Sequence, residues 1–110
     1  MRLAVFFSAA LLLGCLSTSS HANDFFQVPV PSDAKELARL DSKMPAVLSY
    51  FSQQSAMALR DYYVQQLGEP QSEQTVFGRE QLYFNVNGQQ VRIMISSRDD
   101  WQQVDIMVQN

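Results

Sequence analysis

The sequence predicts an α+β fold: one principal helix packed on an antiparallel sheet of three to five strands, with a C-terminal three-stranded meander. Three observations carry this reading. Asn87-Gly88 fits a two-residue type I′ hairpin turn, which needs positive φ at both positions. Asp99-Asp100 marks a second tight turn, because Asp tolerates the left-handed region. Between residues 53 and 67, Ala56, Leu59, Tyr63, Val64 and Leu67 recur at helical spacing, and Gly68 followed by Pro70 stops the run.

The chain opens with Met1-Arg2 and an apolar stretch, Leu3 to Leu13. This stretch is too short to span a bilayer, which takes roughly 20 apolar residues. Ser20 and Ala22 fit the small-x-small cleavage pattern of a secretory signal peptide, so residues 1–22 are expected to be removed after Ala22. The implied location is the periplasm, with no transmembrane segment in the mature chain. A competing reading starts from Leu12-Leu13-Gly14-Cys15, which resembles a bacterial lipobox and would make Cys15 the lipidated first residue of an outer-membrane lipoprotein. Cys15 and His21 are the only Cys and His in the sequence, so the chain from residue 23 on has neither. That composition leaves no disulfide, no Cys nucleophile, no Cys/His zinc site and no Ser-His-Asp arrangement in it. No cofactor or metal is expected.

Residues 23–34 read as an extended, proline-stiffened segment, and residues 35–110 as one small domain. The stretch from Ser32 to Met44 supports two readings. Asp33 with Glu36 fits a capping box, while Glu36 to Leu40 fits an edge strand pairing back on the next segment. Ala46 to Ser52 is a short apolar strand, and Ser52 or Ser55 can cap the following helix. Within that helix Tyr63 is expected in the core and Tyr62 at its boundary. Gln74 to Phe77 adds a possible short strand, with Gly78 as bulge or turn.

The two C-terminal turns fix a register. Leu82 then faces Ile93 and Phe84 faces Val91, while Ile93 faces Ile106 and Val91 faces Val108, so every apolar partner falls on one side. The other side is fixed by the same register. Tyr83, Arg92 and Met107 form one row, Met94 lies in the next, and Arg98 faces Trp101 beside the turn, within reach of a cation–π contact. Trp, Tyr, Met and Arg are the residues enriched at interface centres, so these six are candidate binding residues. The plainer alternative is that the segment from Phe25 to Leu40 folds over this face.

Weaker motifs point elsewhere. Ser32-Asp33-Ala34-Lys35 matches the Ser-x-x-Lys pattern, but Lys-Thr-Gly is absent and the chain is too small for that chemistry. Asp99, Asp100 and Asp105 lack the spacing and glycine of a calcium loop. Leu67-Gly68-Glu69-Pro70 ahead of a three-stranded sheet resembles the small outer-membrane assembly lipoproteins, over less than half of the chain. That family's helix begins with a glycine, where this chain has Ser52-Gln53-Gln54-Ser55. The order of elements also resembles small periplasmic domains of unknown function. Neither resemblance assigns functional residues.

A net charge of −3 disfavours nucleic acid as a partner. The sequence therefore points to a non-enzymatic, exported accessory or binding module of a Gram-negative-type envelope, monomeric or weakly dimeric. Its partner would be an envelope protein or a cell-wall component. The alternatives are an assembly factor lipidated at Cys15 and a small carboxylate-dependent cell-wall hydrolase.

Overall fold

The computed structural model describes residues 24–110. Cys15, Ala22 and the expected signal peptide lie outside the described residues. The elements are β1 (Lys35–Leu40), β2 (Ala46–Ser52), α1 (Ala56–Leu67), β3 (Ser72–Val76), β4 (Arg79–Val86), β5 (Gln89–Arg98) and β6 (Trp101–Gln109). All six strands form one antiparallel sheet in the order β1-β2-β6-β5-β4-β3. The fold is α+β as expected, but with six strands instead of three to five. The C-terminal meander has four strands, because Ser72–Val76 pairs along β4.

Both hairpins follow the register set by their turns. Asn87 and Gly88 take φ of 52° and 82°, the left-handed pair a type I′ turn demands, and Gly88 bears no Cβ to strain there. Leu82 then pairs with Ile93 and Phe84 with Val91. Asp99 takes φ of 51°, and Ile93 pairs with Ile106, Ile95 with Val104 and Val91 with Val108. β3 and β4 are joined by a third tight turn, Phe77-Gly78, with φ of 53° and 77°.

The stretch from Ser32 to Met44 resolves as an edge strand. β1 pairs with β2 and shifts register between Glu36 and Ala38, and all six of its residues are exposed. β2 continues into α1, which starts at Ala56 instead of Gln53. Ser55 is its cap, accepting from the Ala58 amide at 3.1 Å. The helix carries the chain from β2 to the opposite edge of the sheet, and the four-stranded meander then walks back until β6 pairs with β2. Gly68, at φ 90°, ends the helix and donates to the Val64 carbonyl at 2.8 Å.

The core lies on the helix side. Leu48 and Tyr50 of β2, Leu82 and Phe84 of β4, Val91 to Ile95 of β5 and Val104 to Val108 of β6 supply alternate residues, and Leu59 and Tyr63 of α1 cover them. Tyr62 is only half-buried and meets Tyr63 edge to face, with ring centroids 5.0 Å apart. The N-terminal segment is not simply extended. Phe26 and Gln27 both take positive φ, at 50° and 70°, and Phe25 and Val28 exchange two backbone hydrogen bonds of 2.8 and 2.9 Å. This turn drives Phe25 and Val28 into the core beside the helix, where they are 1% and 0% exposed. Asn87 donates from its side chain to Gln27, tying this turn to the β4–β5 hairpin.

Asp33 clamps the junction between β2 and α1. Its carboxylate accepts from Ser52 Oγ at 2.8 Å, the Gln53 amide at 3.0 Å and Gln54 Nε2 at 2.9 Å. Burial alone would raise its pKa, but these hydrogen bonds outweigh burial and hold it below the usual value. A lowered carboxylate pKa adds stability above the unfolded value, and that stability is lost as pH falls through the folded value. Asp33→Ala is expected to cost about 1 kcal/mol at neutral pH, reduced from the charged-bond range because the site is exposed. In urea titrations the gap from the unsubstituted protein should narrow as pH falls below the ordinary carboxylate value of 3.8; a gap independent of pH would contradict this role.

Candidate functional site

The six candidate binding residues all belong to the sheet face opposite the helix. Tyr83 pairs with Arg92 and Arg92 with Met107, so these three share a row; Met94 pairs with Asp105 in the next. Arg98 pairs with Trp101 at the β5–β6 turn. Met107 and Trp101 are six residues apart on β6, so the two groups are separated by about 20 Å along the strands. They are the two ends of one face and not a single cluster.

The pairing of β2 with β6 adds residues that local turns could not reveal. Val47 extends the row of Met107, and Leu40 of β1 extends it again. Phe51 lies on the same face and meets Trp101, with ring centroids 6.2 Å apart and planes at 58°. Trp101 thus packs against Phe51, where a contact with Arg98 was expected. The guanidinium–ring contact seen instead joins Arg39 to Phe25, at 5.3 Å on the helix side. The alternation of Val47, Ser49 and Phe51 with the buried Ala46, Leu48 and Tyr50 was the available signal for Val47 and Phe51.

Polar contacts order the face. Tyr83 donates from its hydroxyl to Gln81 Oε1 at 3.0 Å. Asp105 accepts from Ser49 Oγ at 2.5 Å and from Gln103 Nε2 at 3.2 Å. Arg92 places a terminal nitrogen 3.6 Å from Met107 Sδ, while its Nε is buried with no hydrogen-bond partner. A shallow depression of about 190 Å³ opens here, lined by Tyr83, Arg92, Met107 and flanking glutamines. The N-terminal segment does not fold over this face, since Phe25 and Val28 belong to the core on the other side. Among the described residues, no segment lies across it.

Two other concavities differ in kind. One of about 220 Å³ lies under β1, between Val30, Pro31, Arg39 and Tyr50; its carboxylate, Glu36, is paired with Arg39 at 3.1 Å. The other, about 90 Å³, brings Glu73 and Glu80 to one side of the β3–β4 edge. Arg60 takes both oxygens of Glu73, at 3.0 and 2.7 Å, and that hydrogen-bonded pairing holds the Glu73 pKa below its usual range. Glu80 Oε1 is buried and takes no hydrogen bond. With Glu73 committed to Arg60, the two do not form a free acid/base pair. Among the described residues, no cluster of three or more His, Cys, Asp and Glu suits a metal, and no helix is long and apolar enough to cross a membrane. Ser32 and Lys35 are exposed, and the Asp33 between them is taken up by the β2–α1 junction.

Comparison with protein-family models, with curated proteins and with solved structures finds no match.

Proposed function

We propose that this chain is an exported, non-enzymatic binding module of a bacterial envelope, and that it engages a partner through the sheet face opposite its helix. The observation that carries the reading is the make-up of that face. Tyr83, Met94, Met107, Phe51 and Trp101 lie half-buried across four adjacent strands, with Arg92 among them and no segment over them among the described residues. This composition matches interface centres, and Arg92 keeps an unused donor there. Export rests on the apolar leader and the Ser20-His21-Ala22 site. The hydrolase alternative has less support, because in the concavity that brings Glu73 and Glu80 together, Glu73 is held by Arg60.

A photo-crosslinking side chain at Gln103, on the proposed face, should give adducts in intact cells, and one at Gln65, on the exposed side of α1, should not. Trp101→Ala with Arg92→Ala should abolish the Gln103 adducts while leaving the unfolding midpoint within a few degrees. Adducts from both positions alike would remove this face as the recognition surface. The mass of the exported chain separates the two leaders: a start at Asn23 supports a free periplasmic protein, and a diacylglyceryl group on Cys15 supports the lipid-anchored form.

A further inference from the structure

The proposed face also differs from the rest of the surface in charge. By register it carries Lys35, Arg79, Arg92 and Arg98, and its single acid is Asp105. The chain as a whole has 11 acidic and 8 basic residues. Glu36, Glu73 and Glu80 point to the helix side of the sheet, Asp61 and Glu69 lie on the helix or the connection that follows it, and Asp33, ahead of β1, is bonded to the start of the helix connection. Asp99 and Asp100 sit in the β5–β6 turn, at the rim beyond Arg98. The face is therefore a cationic island on an acidic molecule. At one end of it, Arg92 is braced by Met107, with its Nε buried and without a partner. The planar guanidinium of an arginine is best met by a carboxylate.

Building on the recognition reading above, we infer that the partner is an acidic protein surface whose carboxylates meet Arg92 and Arg98 and whose apolar side chains cover Met94, Met107 and the Phe51–Trp101 pair. Charge complementarity supplies the sign of the partner, and the flat aromatic and methionine residues between the cations supply its class. Those residues are half-buried on the sheet face and do not project from it as Phe77 does, so they suit a matching protein surface better than insertion into lipid. The side chain that does project, Phe77, is 99% exposed at the β3–β4 turn, at the rim of the face and not within it.

Trp101 is the only Trp, so its emission reports directly on this face. The full exported chain is titrated with a synthetic Glu/Leu peptide and with its Lys/Leu counterpart. The Glu/Leu peptide should shift the emission, and its affinity should fall by roughly tenfold between low and physiological salt. Arg92→Gln with Arg98→Gln should weaken it by a similar factor, while Lys43→Gln, in the β1–β2 turn, should not change it. Equal binding of the two peptides, or no effect of the arginine changes, would overturn the inference. So would tighter binding of phosphatidylglycerol vesicles or of a uronate polysaccharide, which would assign the face to lipid or glycan. If the Gln103 crosslinks persist in the Arg92→Gln, Arg98→Gln variant, the recognition face stands and only the acidic partner falls.

Discussion

Replacing Phe25 by Ala should destabilise the domain by about 3–5 kcal/mol, the range for removing a buried aromatic ring. Phe25 is 1% exposed, packs edge to face on Phe26 with centroids 4.9 Å apart, and lies under the Arg39 guanidinium. Its loss would open a cavity at the end of the sheet that α1 does not cover, and small domains have only about 5–15 kcal/mol to lose. The urea midpoint should move accordingly, with the slope unchanged. A loss below about 1 kcal/mol would mean that the Phe25–Val28 turn is not part of the folded core.

Tyr50 and Tyr63 should behave as a coupled pair. Both rings are fully buried, and their hydroxyls are 2.7 Å apart, joining β2 to α1. Tyr63→Phe strands the Tyr50 hydroxyl inside the core, at a cost of about 1–3 kcal/mol. Tyr50→Phe strands its partner in the same way. The double replacement removes both polar groups and should cost less than the sum of the two; strictly additive losses would mean that the hydroxyls do not depend on each other. Burial, first of all, raises both pKa values above the usual 10.0. Stability from this source is complete below pH 10.0 and is lost at higher pH, where the unfolded chain ionises first. The double Phe variant should therefore resist alkaline unfolding better than the unsubstituted protein.

What could be read from the sequence depended on how local its cause was. Asn87-Gly88 and Asp99-Asp100 set the pairing of β4, β5 and β6 residue by residue, so Tyr83, Arg92 and Met107 could be aligned without a structure. Phe26-Gln27 forms an equally tight turn, but a Phe in the left-handed region is not a recognisable turn residue and nothing in the sequence marks it, whereas at Phe77-Gly78 the glycine alone signals the turn. β1 was ambiguous because its six residues are all exposed and a bulge breaks their alternation. The place of Val47, Phe51 and Leu40 on the binding face follows from β2 meeting β6, a pairing that no local pattern encodes. The charge of that face was hidden for the same reason, since Lys35 joins the three arginines only when the far strands are brought together.

The position of β6 has a consequence for how the molecule comes into being. The last of the described strands sits near the middle of the sheet, pairing Ala46 with Val108 on one flank and Ile93 with Ile106 on the other. Until it is in place, β1–β2 and β3–β5 are two separate ribbons with no shared hydrogen bonds, and the helix between them has half a floor. Closure thus waits on the β2–β6 pairing, because the longest loop must be fixed before its contacts repay the ordering. A fold built this way cannot complete its core by pairing neighbours in sequence alone.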